Sequence, residues 1–193
     1  MALSVGVGVA KQSALDTGYY PEIEDLSPTV EASLGYRFPA VATLPSGMPV
    51  SAAVGIRAGL SRYTTPESGD PDLVVETWHR EVRALDLGAI CILQVDRFSV
   101  APWLGARFAN SRLATTAHDL AHGTDETSTM TFGRPILLSG GVTVGADLYA
   151  SGPHRFTLFL TAQLTSSSDF DGDLDDSPDY RYSAITVGGA YRL

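Results

Sequence analysis

Along most of the chain, apolar residues alternate with small or polar residues at a period of two. This period is typical of β-strands, because successive side chains of a strand point to opposite faces of the sheet. The pattern predicts eight strands. Their apolar positions run from Leu3 to Val9, Val30 to Phe38, Val50 to Leu60, Leu85 to Leu93, Phe98 to Phe108, Phe132 to Leu148, Phe156 to Leu164 and Ile185 to Leu193.

The connections between the predicted strands alternate in length. The short ones span residues 39–49, 94–97 and 150–154, and the long ones span residues 11–26, 64–75, 110–127 and 166–179. Tight turns at one end and long loops at the other are typical of transmembrane β-barrels. The sequence therefore predicts an all-β chain in which residues 1–193 form a single domain, an eight-stranded antiparallel up-and-down transmembrane β-barrel.

The composition of the second face indicates which side of the barrel meets lipid. Between the apolar positions stand mostly Gly, Ala, Ser and Thr, and the chain has a single lysine, Lys11. Small side chains suit the crowded interior of a narrow barrel, whereas a water-facing exterior needs long charged ones. We expect the apolar face to point outward into lipid. The alternative is a soluble, lipocalin-like barrel whose apolar face surrounds a ligand.

Aromatic residues cluster near the predicted short turns. A belt of aromatic side chains at each membrane interface is typical of transmembrane barrels. The cluster at the short-turn end comprises Tyr36, Phe38, Phe98, Tyr149, Phe156 and Tyr191, and a second belt at the opposite end would comprise Trp78, Phe108, Phe132 and Tyr182.

Composition excludes several classes of protein. No run of about 18 apolar residues occurs, so no transmembrane helix is predicted. The one cysteine, Cys91, permits no internal disulfide. The net charge is −9, most acidic residues fall in the long connections, and no basic cluster suited to nucleic acid is present.

Charged residues at inward positions form the main candidate site. A buried charge is costly unless it is paired, so we expect an interior charge network. One interpretation, which we favour, is a salt-bridged plug that holds the strands in register. The other is a narrow path for ions or small solutes, gated by Arg57 and Arg107. The network comprises Glu31, Arg57, Asp86, Arg107, Asp147 and Arg155, with Arg37 and Arg97 near the short-turn end.

Two of the long connections carry potential metal ligands. Asp169, Asp171, Asp173 and Asp175 alternate as calcium ligands do, but Leu174 stands where an EF-hand requires glycine. We favour a solvated acidic loop, with weak divalent-cation binding as the alternative, and we predict no other cofactor. The pair His118 and His122 would share a metal only in a helix, which Gly123 disfavours.

The histidines give no support for catalysis. Neither His79 nor His154 can be grouped with a serine and a carboxylate from sequence, as a lipid-modifying hydrolase or acyltransferase would require. The sequence therefore predicts a protein that is not an enzyme, with a lipid-modifying enzyme as a less favoured alternative.

The last strand resembles the carboxy-terminal signal that the barrel-assembly machinery reads. Ile185, Val187, Tyr191 and Leu193 supply its alternating apolar positions, although Leu193 replaces the usual terminal aromatic residue. We expect both termini and the short turns to be periplasmic. Because the start of the chain shows no signal peptide, we also expect a mature form.

With this pattern the chain resembles the small eight-stranded outer-membrane barrels, namely the membrane domain of outer-membrane protein A and the opacity and Ail-type proteins. The resemblance covers the full chain and rests on architecture. It implies the bacterial outer membrane as location, and outer-membrane lipid, lipopolysaccharide and the barrel-assembly machinery as partners. It also implies a structural or surface-interaction role, in which the acidic loops contact an extracellular protein or surface ligand.

Overall fold

The computed structural model describes residues 2–15, 26–64, 76–119, 124–132, 136–166 and 181–193. These residues include no helix long and apolar enough to cross a membrane. They form nine strands: β1 (Ala2–Leu15), β2 (Leu26–Thr43), β3 (Pro49–Thr64), β4 (Glu76–Val95), β5 (Phe98–Asp119), β6 (Thr124–Phe132), β7 (Ile136–Ser151), β8 (His154–Thr165) and β9 (Arg181–Arg192).

The strands form one closed antiparallel sheet. Strands that follow each other along the chain pair, except that β6 and β7 both pair with β5, and β1 pairs with β9 to complete the circuit. β6 pairs with β5 from Ser111 to Asp119, and β7 pairs with β5 from Phe98 to Phe108, so β6 and β7 together fill one position in the wall. The predicted eight-stranded antiparallel barrel is confirmed.

One row of paired residues shows how the barrel is staggered. Followed from strand to strand around the barrel, the row begins at Leu137 in β7 and returns to β7 at Asp147. The two residues are ten positions apart, a distance of about 33 Å along the strand. This stagger is the shear of a closed barrel, and it requires tilted strands. In order, the row contains Leu137, Arg107, Asp86, Gly59, Glu31, Gly6, Ala190, Thr157 and Asp147.

The outer face is apolar, and the inner face is mostly small or polar with a few large apolar side chains such as Trp103. In β8, Phe156, Leu158, Leu160 and Leu164 are exposed on the outside, whereas Thr157, Phe159, Thr161 and Gln163 are buried inside. The other strands follow the same rule, with outward Leu, Val, Ile, Phe and Tyr. The apolar-outward expectation is therefore confirmed, and the lipocalin-like alternative is wrong for this chain.

Tight turns join the strands at one end, which we call the turn end. They occupy residues 44–48, 96–97 and 152–153. Asp96 and Gly152 have φ values of 51° and 58°, the left-handed conformation that two-residue hairpins use. The first turn is shorter than the predicted connection 39–49, because β2 continues past an irregularity between Phe38 and Ala42.

Two predicted long connections are partly strand. Residues 11–15 belong to β1, and most of residues 110–127 belongs to β5 and β6. The prediction failed because this part of the β5–β6 hairpin consists mostly of Thr, Ser, Ala and charged residues, so no apolar alternation marks it. Thr116 Oγ1 and Thr127 Oγ1, for example, lie 3.2 Å apart at an exposed cross-strand pair. Most of the other two long connections lies outside the described residues.

The seam between β1 and β9 is covered from inside by Phe159. A Cβ atom at Gly188 would lie 2.3 Å from the Val7 carbonyl oxygen and 2.5 Å from Phe159 Cζ. A Cβ at Gly6 would lie 3.1 Å from the same ring. Glycine thus lets the buried Phe159 ring lie directly against the strands that close the barrel.

Candidate functional site

The first interior site, the upper cluster, lies in the half of the barrel away from the turn end. It comprises Ser61, Asp86, Arg107, Ser139 and Gln163. Arg107 has no exposed surface, and its Nη1 lies 3.0 Å from Asp86 Oδ2. Its Nη2 donates a hydrogen bond to Ser61 Oγ at 3.1 Å.

Gln163 extends the upper cluster across the barrel. Its Nε2 donates to Asp86 Oδ1 and to Ser139 Oγ, both at 3.0 Å. The cluster therefore links β3, β4, β5, β7 and β8. Every contact is made by an inward side chain, so these bonds tie strands together through the lumen.

The second site is the middle pair, Glu31 and Arg57. Arg57 donates to Glu31 Oε2 from Nη2 at 2.7 Å and from Nε at 3.2 Å. Its guanidinium carbon also lies 4.2 Å from the centre of the Trp103 ring, in cation–π contact. The remaining nitrogen, Nη1, is buried and finds no hydrogen-bond acceptor among the residues that the structure describes.

The third site, the turn-end cluster, comprises Arg37, Gln94, Asp147, Arg155 and Arg192. Asp147 Oδ2 accepts from Arg155 Nη1 at 2.7 Å and from Gln94 Nε2 at 3.0 Å. Gln94 in turn accepts a hydrogen bond from Arg37 Nη2. Arg192 Nη1 donates to the Ser99 hydroxyl at 3.2 Å.

The sequence placed six charged residues inside the barrel, and the structure brings them together as three ion pairs. The pairs are Glu31–Arg57, Asp86–Arg107 and Asp147–Arg155. Sequence reasoning missed the inward neighbours of these pairs. The alternation of inward and outward positions along a strand could have identified them. Each missed residue lies an even number of positions from a recognised inward residue or between two outward ones. The missed residues are Gln94, Trp103, Gln163 and Arg192.

Small cavities separate the interior sites. One of about 30 Å³ lies between Glu31, Arg57, Phe159 and Arg192. Another of about 50 Å³ lies at the turn end and is lined by the turn-end cluster except Asp147. Both are polar enough and large enough to hold water.

Outward-facing charges begin where the apolar outer surface ends, on the side away from the turns. Glu81 accepts from Arg62 Nε at 2.8 Å and from Arg83 Nε at 2.7 Å. The hydrogen bond from Arg83, followed by the charge of Arg62, lowers the pKa of Glu81 below its ordinary value. Lys11 and Arg112 are exposed on the same side. We call Lys11, Arg62, Arg83 and Arg112 the basic rim.

The outward aromatic side chains at the turn end form a band. Tyr149, Phe156 and Tyr191 are cross-strand neighbours in one row. Tyr191 is hydrogen-bonded through its hydroxyl to His154 Nδ1. Of the aromatic residues predicted for the opposite belt, Phe108 is exposed outward. The side chains of Trp78, Phe132 and Tyr182 lie outside the described part of the chain.

The other predicted site residues have different outcomes. The proposed calcium ligands Asp169, Asp171, Asp173 and Asp175 lie outside the described residues, as do His122 and the side chains of His79 and His118. Within the described ranges, no three His, Cys, Asp or Glu side chains are grouped as metal ligands would be. The residues of the predicted assembly signal, Ile185, Val187, Tyr191 and Leu193, all lie exposed on the outer face.

Comparisons with known proteins add a fold likeness. No family model and no curated protein sequence matches the chain. The crystal structure of Ail, the attachment invasion locus protein of Yersinia pestis, is similar with a TM-score of 0.54 and 13% identity, over 100% of this chain and 98% of Ail. Ail in complex with the heparin analogue sucrose octasulfate gives 0.54 and 12% over the same shares. Neisserial surface protein A gives a TM-score of 0.46 and 16% identity, over 98% of this chain and 97% of that protein. At these identities the likeness to Ail shows a shared outer-membrane barrel fold.

Proposed function

We propose that this chain is an integral bacterial outer-membrane protein whose plugged barrel serves as a rigid scaffold for a structural or surface-interaction role, and that it is not an enzyme. The observation that carries the proposal is the contrast between the two faces. The outer face is a continuous apolar surface, while ion pairs between adjacent strands, one of them hydrogen-bonded across the barrel by Gln163, occupy the lumen. The shared fold with Ail supports the same location.

The borders of the apolar surface support insertion in an outer membrane. At the turn end the outward aromatic band suits a membrane interface. At the other border the basic rim faces outward, where the phosphate groups of lipopolysaccharide would lie. An apolar groove of about 930 Å³ on the outer wall, lined by Leu104, Leu138, Leu164 and Ile185, ends near Lys11 and suits an acyl chain. We infer that the turn end is periplasmic, since the polar β5–β6 hairpin extends from the opposite end.

The upper cluster supports a plug in preference to a pore. Arg107 and Asp86 pair with each other, Ser61 accepts a hydrogen bond from Arg107, and Gln163, which also donates to Ser139, donates to Asp86. Breaking a buried pair by removing one partner typically costs about 3–5 kcal/mol, because it leaves an uncompensated charge. A pair that contributes this much to stability braces the strands and is poorly suited to a gate that must open for ions to pass.

The β5–β6 hairpin supports a surface-interaction role. Residues 126–131 of β6 are exposed, and among the described strands β6 pairs with β5 alone. An unpaired polar edge of this kind is available to a partner protein or surface ligand. Ail forms a complex with a polyanion, sucrose octasulfate. The long connections of this chain are acidic, so we propose a neutral or cationic partner instead.

Single-channel conductance tests the proposal. The protein is refolded into a planar bilayer, with folding checked by heat-modifiable gel mobility and unfolded protein as the control. A plugged scaffold gives a folded protein without current steps. Stable steps that change in Arg107→Ala would overturn the plug and establish the narrow pore, while failure to enter bilayers would overturn the membrane location.

A further inference from the structure

The turn-end cluster contains more positive than negative charge. Arg37, Arg155 and Arg192 come from β2, β8 and β9 and line the same cavity of about 50 Å³. No acidic side chain among the described residues lines this cavity. Asp147 reaches the cluster from β7 and is in contact with Arg155.

Two of the three arginines have neutral partners. Arg37 donates to the Gln94 side-chain oxygen, and Arg192 donates to the Ser99 hydroxyl. Arg192 Nε is buried and meets no acceptor within the described ranges. Two guanidinium groups therefore have no carboxylate in contact: that of Arg192 is partly buried in the barrel, and that of Arg37 is exposed at the turn end.

Serines in the cavity wall supply further donors, while much of the remaining wall is apolar. Ser4, Ser33 and Ser51 line it together with the arginines and Gln94. Hydroxyls and guanidinium groups that converge from several strands are the donors that bind phosphate and sulfate. Attraction between opposite charges is also stronger inside a protein than in water.

We propose that this cavity is a binding site for one small oxyanion of the phosphate or sulfate class. The anion neutralises the charges of Arg37 and Arg192, and the serine hydroxyls donate to its remaining oxygens. Because the cavity is inside the barrel at the turn end, the ligand is a free anion that enters from that end. The proposal is independent of the plug, since it concerns binding and makes no claim about conductance.

Calorimetric titration with inorganic phosphate tests the site. The protein is folded in a neutral, phosphate-free detergent, so no lipid headgroup is present, and chloride at matched ionic strength is the reference. We expect one phosphate per chain and at least tenfold weaker binding in Arg192→Gln. The control is Arg62→Gln, which removes the same charge from the outer face and should change the affinity less than twofold.

The result that would overturn the proposal is a folded wild-type protein that gives no phosphate heat, or an equal loss of affinity in the two variants. If Arg192→Gln fails to fold, Arg37→Gln at the more exposed rim replaces it with the same expectation. Binding seen only when lipid vesicles with phosphate headgroups are added would assign the site to lipid and would also overturn the free-anion proposal. Bound phosphate should raise the unfolding midpoint of the wild type and leave that of the arginine variant nearly unchanged.

Discussion

The upper cluster and the turn-end cluster use the same residue types in different proportions. In the upper cluster one arginine, Arg107, faces one carboxylate, Asp86, and both are almost fully buried. The turn-end cluster has three arginines and one carboxylate, Asp147, which contacts Arg155, and Arg155 is 26% exposed. Equal charge gives a closed set of contacts that braces strands, whereas excess charge leaves binding capacity for an ion. The proportion of charges, more than their presence, thus distinguishes a brace from a site.

The largest difference between the two clusters is expected from Arg107→Ala. It leaves Asp86 charged and buried beside Gln163, so we expect the free energy of unfolding to fall by about 3–5 kcal/mol. Urea titration in detergent measures the loss. Arg112→Ala, an exposed residue on the same strand, is the matched control and should change stability little.

A double substitution tests whether the stability lost in Arg107→Ala comes from the unpaired charge of Asp86 or from lost packing. Replacing both Arg107 and Asp86 with leucine or methionine removes both charges, and such replacements are often neutral in stability. If Arg107→Ala alone is as stable as the wild type, the upper cluster does not brace the strands.

A smaller effect is expected from Arg155→Ala in the turn-end cluster. Asp147 keeps the hydrogen bonds from Gln94 and from Thr157, the latter at 2.6 Å, and Arg37 and Arg192 remain nearby to compensate its charge. We therefore expect a loss less than half that of Arg107→Ala in the same urea titration. Equal losses would show that the two clusters do not differ in the way described.

The smallest loss of stability is expected from Glu81→Gln. Glu81 contacts Arg62 and Arg83 on the outer face, so it serves as a reference for ion pairs outside the barrel. Its pKa is lowered by the hydrogen bond from Arg83 and the charge of Arg62, so its stabilising contribution is complete above its ordinary pKa. That contribution is lost as pH falls through the lowered pKa. We expect Glu81→Gln to be slightly less stable than wild type at neutral pH and equal to it in strong acid. A difference that persists in strong acid would contradict this ionic origin.

The sequence predicted the fold where lipid imposes a pattern. In β8, Leu158 and Leu160 must face lipid while Thr157 and Thr161 face the lumen, so a period of two was visible. Beyond the apolar surface both faces of the β5–β6 hairpin meet water, and nothing in residues 110–127 forces alternation. Those strands were consequently assigned to a loop.

The candidate site was predictable in its members but not in its contacts. Parity placed Arg57 and Glu31 inside. Their pairing depends on the register of β2 and β3, in which Glu31 is opposite Gly59 and Arg57 is opposite Ser33. Arg192 and Gln163 were missed because their role arises from partners on strands distant in sequence, which single-strand patterns do not contain.

The seam covered by Phe159 has a consequence for the rate at which the barrel assembles. The other pairings join strands that are close along the chain, so each forms by closing a comparatively short segment. The seam joins residues as distant as Ser4 and Arg192, and its closure restricts nearly the whole chain at once. We therefore expect the seam to close last, from an open sheet with β1 and β9 as its two free edges. Phe159 contacts both Gly6 and Gly188 only when β1 and β9 are paired, so this contact forms as the barrel closes.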